Sequence, residues 1–129
     1  MDGGTGDDIL NARSGDDDLD GGAGADVLRG HEGADSLDGG AGNDTLVGGD
    51  DADRFVFAGA NGADRIVDFQ DGIDRIDLTA YAGNGVHDVG DFTIAQVGVN
   101  TVISNYGGGT ITLSNTDAGD IDDADFLFS

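Results

Sequence analysis

The 129-residue chain has no cysteine and no lysine, and only 6% of it is aromatic. Without cysteine there is no disulfide framework, no thiol nucleophile and no thiolate metal site. Without lysine, the permanent positive charges are Arg13, Arg29, Arg54, Arg65 and Arg75, set against 26 Asp and one Glu for a formal net charge of -22. A nucleic acid needs basic residues to neutralise its phosphates, so it is excluded as a partner, and anionic membranes are disfavoured for the same reason. No apolar run approaches the ~20 residues that span a bilayer. No signal-peptide pattern opens the sequence, where Met1 leads straight into "DGGTGDD"; that is expected of an internal boundary, or of an export route that reads no N-terminal leader. Catalytic constellations are also missing: no Ser-His-Asp arrangement, no G-x-S-x-G, no metalloprotease helix and no phosphate loop. The chain is therefore read as non-enzymatic, with any catalytic domain outside it.

Acidic chains with few aromatics ordinarily read as disordered. Two features oppose that here. The acid is nearly all Asp, the short carboxylate suited to ligating a metal from a tight loop, and it recurs at fixed places.

Six nine-residue units run without a gap from Gly3 to Val56: "GGTGDDILN", "ARSGDDDLD", "GGAGADVLR", "GHEGADSLD", "GGAGNDTLV" and "GGDDADRFV". The sixth place is always Asp (Asp8, Asp17, Asp26, Asp35, Asp44, Asp53) and the eighth always large and apolar (Leu10, Leu19, Leu28, Leu37, Leu46, Phe55). The fourth is Gly in every unit but the last, which has Asp51. A period of nine fits neither a helix nor a hairpin. Glycine reaches positive φ without strain and Asp caps tight turns, so the first six residues form a turn. The last three form a short strand that aims its middle residue inward. Two units then make one coil of a flattened right-handed spiral, and coils stack at about 4.8 Å. The expected fold is all-β: two parallel three-rung sheets enclosing six apolar side chains, a parallel β-roll over residues 1–56.

Six side chains make a thin core, and stacked Asp rows repel one another. A cation bound in the turns resolves both problems. Hard oxygen ligands without His or Cys select Ca²⁺, which accepts about 6–8 oxygens in flexible geometry. The sixth-place carboxylates supply part of the set, and main-chain carbonyls of Gly4, Gly6, Gly15, Gly22, Gly24, Gly33, Gly40 and Gly42 supply the rest. Turns on one edge come from alternate units, so Asp8, Asp26 and Asp44 form one row and Asp17, Asp35 and Asp53 the other. Ions between successive turns give about four Ca²⁺ or more.

These units resemble the RTX, or haemolysin-type, calcium-binding nonapeptide family, whose pattern is G-G-x-G-x-D-x-U-x. The resemblance implies a calcium-filled parallel β-roll. "ARSGDDDLD" departs by lacking the leading glycine pair, "GHEGADSLD" by His31, and "GGDDADRFV" by Asp51, which marks a weaker last rung. Other patterns are lookalikes. "DDDLDG" (Asp16 to Gly21) opens like an EF-hand loop, but its twelfth place is Val27 and no helices flank it. The glycosylation sequon at Asn43 lies inside a metal turn. His31–Glu32 and His87 form no zinc motif and read as surface residues.

After Val56 the period breaks. "RIVDF" and "RIDL" read as strands, and from Phe92 "FTIAQV", "TVISN" and "TITL" read as hairpin strands joined by "GVN" and "YGGG". Residues 57–129 are expected to form an antiparallel β cap that covers the bare end of the roll. Asp64, Asp68, Asp71 and Asp74 surround a turn there and are candidates both for a solvated loop and for a further Ca²⁺ site. "ADRIVDFQDGIDRIDL" is similar to the segment after the repeats in serralysin-type proteases and alginate epimerase modules. The terminal "DIDDADFLFS" resembles the uncleaved C-terminal signal of bacterial type I secretion substrates.

These resemblances imply a secreted, extracellular module that folds on binding Ca²⁺, forming the C-terminal part of a larger protein, with the type I secretion machinery as partner. The alternative is a calcium-dependent polysaccharide-binding module for an alginate-like polymer. A domain that only supports an attached protease or lipase is compatible with the first reading.

Overall fold

The computed structural model describes residues 1–59 and 61–128. Its elements are almost all strands: β1 (Ile9–Ser14), β2 (Asp18–Asp20), β3 (Val27–Glu32), β4 (Ser36–Asp38), β5 (Thr45–Asp50), β6 (Arg54–Val56), β7 (Ala63–Ile66), β8 (Arg75–Asp77), β9 (Thr93–Val97), β10 (Asn100–Ser104), β11 (Thr110–Leu113) and β12 (Phe126–Leu127). Successive strands alternate between two sheets up to β8. One sheet has the order β1-β3-β5-β7-β11-β10-β9, the other β12-β8-β6-β4-β2. This is the parallel β-roll expected from the nine-residue period.

The turns follow the repeat. In all six units the second and fourth places adopt positive φ. Nine of those twelve places are glycine; the other three are Arg13 (φ 104°), His31 (φ 82°) and Asp51 (φ 76°). The departures from the repeat pattern thus hold side chains in a backbone region that glycine occupies without strain. Gly42 shows a second constraint, because a Cβ there would collide with the Gly24 carbonyl of the coil below.

Every eighth-place side chain points inward, as expected. Leu10, Leu28 and Leu46 stack in register, as do Leu19, Leu37 and Phe55. The columns do not stop at Val56, however. Leu46 continues to Ile66 and Leu113, and Phe55 continues to Ile76 and Phe126, all through parallel pairings. Each column therefore has five members rather than three, and all ten side chains are buried. The period ends at Val56 while the ladder runs on. The strands also differ from the expected uniform three residues. Those of the first sheet within the repeats, β1, β3 and β5, are six residues long and run into the following unit, whereas β2, β4 and β6 are three.

Beyond β11 the seven-stranded sheet turns antiparallel, with β10 paired to both β11 and β9. Short 3-10 segments at Thr79–Asn84 and Val89–Asp91 lead into this part. Phe92 meets Phe126 edge to face (centroids 5.1 Å apart) and Phe128 at a tilt (6.2 Å), and Tyr81 meets Tyr106 edge to face at 5.1 Å. These rings join the buried columns in one continuous core. Ser129, the last residue of the "DIDDADFLFS" run, lies outside the described residues.

Candidate metal-binding turns

The sixth-place aspartates form two ladders along the edges of the roll. The Asp8 N–H donates to Asp26 Oδ1 (2.7 Å), that of Asp26 to Asp44 Oδ1 (2.8 Å), and that of Asp44 to Asp64 Oδ1 (2.9 Å). On the other edge Asp17 N–H donates to Asp35 (2.8 Å), Asp35 to Asp53 (2.9 Å) and Asp53 to Asp74 (3.0 Å). Asp64 and Asp74 thus stand in the rows as fourth members. "GANGADRIV" and "FQDGIDRID" (residues 59–67 and 69–77) are two further, degenerate units: each has Gly fourth, Asp sixth and Ile eighth. Insertions before them, Phe57–Ala58 and then Asp68, stretch the spacing and hide the period. The next strand in the first sheet sets Ile111 opposite Asp64, so that row of carboxylates ends there.

Asp26, Asp35, Asp44 and Asp53 each accept a ladder N–H at Oδ1, whereas Asp8 and Asp17, which open the rows, only donate. Asp8, Asp26, Asp35, Asp44 and Asp53 each have a buried Oδ2 without a hydrogen-bond partner. A buried, unpartnered anionic oxygen is costly unless a cation meets it. The space in front of it is shaped by the first-place glycine of the same unit. A Cβ placed on Gly21 would stand 2.7 Å from Asp26 Oδ2 and 2.7 Å from the Gly39 carbonyl oxygen; one on Gly3 would stand 2.7 Å from the Gly21 oxygen and 3.0 Å from Asp8 Oδ2. Gly30, Gly39 and Gly48 face Asp35, Asp44 and Asp53 Oδ2 in the same way, and Gly48 lends its carbonyl to the Gly30 cradle. These first-place glycines lie outside the positive-φ region, so they serve for space rather than conformation. Carboxylate on one side and carbonyl on the other is the all-oxygen chemistry that suits Ca²⁺. Among the described residues no group of three or more His, Cys, Asp or Glu side chains is arranged to hold a metal ion, so an ion in the turns must draw on carbonyls.

The electrostatics agree. Burial pushes the Asp53 carboxyl up to about 7, with Asp74, Asp35 and Asp68 adding repulsion against the relief given by the Asp35 N–H. Burial likewise lifts Asp64 to about 6, opposed by the Asp44 N–H and reinforced by the Asp44 charge. Asp35, Asp44 and Asp74 are raised for the same leading reason. Without a cation the fold holds these five carboxylates reluctantly ionised.

The remaining predicted residues fall into place unevenly. The second- and fourth-place carbonyls are not uniformly spare: those of Gly4, Gly22 and Gly42 already accept from Ala23 (2.9 Å), Ala41 (2.8 Å) and Gly62 (2.9 Å). Gly6, Gly15, Gly24, Gly33 and Gly40 lie at the matching places of their turns, all with positive φ. The first-place carbonyls of Gly21, Gly39 and Gly48 were not anticipated from sequence; the signal was an invariantly small residue that no turn angle requires. Asp68 uses both carboxylate oxygens on the N–H groups of Gly48 (2.9 Å) and Gly49 (2.8 Å), capping that turn outside the rows. Asp71 also lies outside them, beside buried Asp125; desolvation first and the Asp125 charge second raise its carboxyl. Asp51 is exposed at its fourth place. Asn43, the sequon residue, accepts the Ala63 N–H at 2.8 Å and so ties its turn to the next coil. His31 and His87 are exposed.

Comparison with known proteins places these turns among relatives. A family model described as the RTX calcium-binding nonapeptide repeat (4 copies) matches residues 1–28, 20–55 and 29–66, together just over half of the chain. Among solved structures, the AlgE6R3 subunit of the Azotobacter vinelandii mannuronan C5-epimerase is 33% identical, with 98% of this chain and 81% of that one covered and a TM-score of 0.80. The AlgE6R2 subunit of that epimerase is 29% identical over 97% of this chain and 91% of the other, with a TM-score of 0.64. The extracellular lipase LipA of Serratia marcescens is 26% identical over 98% of this chain but only 20% of the lipase, with a TM-score of 0.77. Comparison with curated protein sequences gives no match. Among the described residues no helix is long and apolar enough to cross a membrane.

Proposed function

The chain belongs to the RTX calcium-binding nonapeptide repeat family, and from that premise we propose that it is a module of a secreted protein that folds when Ca²⁺ enters its turns. The observation that carries this is the set of buried Oδ2 atoms without partners, each facing a glycine-shaped cradle. With the cradles filled, opposite charge meets each buried carboxylate; with them empty, desolvated anions stack along both edges. Ca²⁺ bound only by the folded form stabilises it by mass action. Extracellular calcium modules bind at roughly 10⁻⁴–10⁻³ M, so the chain stays unfolded and threadable in a cell and closes outside it. Export by a type I machinery, with the terminal acidic–apolar run as its signal, fits this order of events. The roll is structural, and catalysis belongs to an attached domain, as the small covered share of the lipase suggests. Far-UV circular dichroism tests the switch: coil in chelator and cooperative gain of β signal on adding Ca²⁺ are expected, and full β signal in chelator refutes it.

A second reading, Ca²⁺-dependent binding of an anionic polysaccharide, is favoured by one further feature. Across the seven-stranded sheet the outward residues in register are Thr45, Arg65, Thr112, Val102 and Ala95, with Asn11, Arg29 and Val47 beside them. These rows contain no carboxylate, although the chain carries a net charge of -22. The matching rows of the other sheet hold Asp18, Asp20, Asp38 and Asp77. A uronate chain lying along these rows would meet Arg29 and Arg65, with the sheet's exposed carboxylates, Glu32 and Asp50, set apart at the ends of β3 and β5. Titration with mannuronan or alginate oligomers in saturating Ca²⁺, against Arg29→Gln/Arg65→Gln, decides it; binding that ignores both arginines, or no binding, ends this reading.

A further inference from the structure

The second unit differs from its neighbours at the point where the cradle forms. Units one, three, four, five and six begin with glycine, and their carboxylates are the ones with a buried, unpartnered Oδ2. Unit two begins with Ala12, and the Oδ2 of its Asp17 is not in that state. Position at the end of a row does not explain the difference. Asp8 opens the other row, is half-buried like Asp17, and keeps the orphaned oxygen. Ala12 lies between the pairs Asn11↔Arg29 and Arg13↔His31, opposite Gly30, as Gly3 lies eighteen residues from Gly21. Its Cβ is thus the real counterpart of the Cβ that elsewhere would fall between an Asp Oδ2 and a first-place carbonyl.

Resting on the calcium reading above, we propose that the Ala12 methyl fills the cation cradle of the second unit, so that Asp17 holds no Ca²⁺ and the second row starts at Asp35. Ala12 is a specificity-determining residue for metal loading: it removes one ion from one edge and leaves the hydrogen-bond ladder, in which the Asp17 N–H donates to Asp35, intact. Two arms test this by native mass spectrometry of the whole chain in saturating Ca²⁺. Ala12→Gly should carry one ion more than the unaltered chain. Asp17→Asn in the unaltered background should carry the same number, whereas Asp35→Asn should lose one. Equal counts for Ala12→Gly and the parent, or an ion lost with Asp17→Asn, overturn the proposal while leaving calcium binding in place. A parent chain that binds no Ca²⁺ overturns both.

Discussion

Residues 3–56 contain a single aromatic side chain, Phe55, whereas residues 57–128 contain the other seven, and yet both stretches build the same two sheets. The first stretch gives each rung one inward aliphatic or aromatic residue and devotes the remainder to glycine turns and Asp ladders. The second closes its rungs with ring contacts such as Phe92–Phe126 and Tyr81–Tyr106. The same architecture is thus held in one region by oxygen groups that call for a cation and in the other by side-chain burial. The changeover is local: in the first sheet Ile111 replaces the next Asp directly opposite Asp64, and a buried apolar side chain stands where the carboxylate row would continue.

Breaking a core column should hurt most and blur the contrast, because both regions share it. Leu37→Ala removes a fully buried side chain and should cost about 2–5 kcal/mol in denaturant unfolding with Ca²⁺ present. Next come the carboxylates. Asp44→Asn, inside a row, should cost about 1–3 kcal/mol and raise the Ca²⁺ midpoint, while Asp8→Asn, at a row end with no preceding coil, should cost less; equal effects would dissolve the row as a unit. In the cap, Tyr81→Phe removes a hydroxyl whose single proton is shared between the Gly59 carbonyl (2.8 Å) and Asn61 Oδ1 (2.5 Å). It should lose about 1 kcal/mol at every Ca²⁺ concentration, a parallel offset that a row variant does not give. The smallest effect is expected at His31, held at φ 82°: His31→Gly should gain up to about 1 kcal/mol, the scale of the left-handed penalty.

Acidity acts on the carboxylate rows where the two regions meet. Asp53 and Asp64 take up protons near 7 and 6 in the fold against an ordinary 3.8. Between about pH 4 and pH 7 the folded chain therefore binds more protons than the unfolded one, and calcium-free stability rises as pH falls through that window and is lost as pH rises. In chelator, lowering the pH from 7 to 5 should increase β signal. With Ca²⁺ the sign reverses, since the ion must displace protons, and the midpoint should move to higher Ca²⁺.

Much of this could be read from the sequence. Six aspartates nine residues apart fixed the coil, the inward column and the two edges. The seventh and eighth units escaped because two short insertions move Asp64 and Asp74 to spacings of twenty and twenty-one from Asp44 and Asp53, breaking the count while the ladder bridges the gap. The first-place carbonyls escaped for a different reason. Glycine in a turn reads as conformational freedom, and at Gly21 it is absence of volume that matters, which only the neighbouring coil reveals. Asp68 resembles a ligand by composition, but its two oxygens cap Gly48 and Gly49.

Hydrogen exchange resolved along the chain, in chelator and in saturating Ca²⁺, tests the central claim most directly. Amides of residues 3–56 should exchange as unfolded chain without the ion and become protected together when it is added. Protection of those coils that is the same in chelator as in Ca²⁺ would contradict the claim that cations hold them.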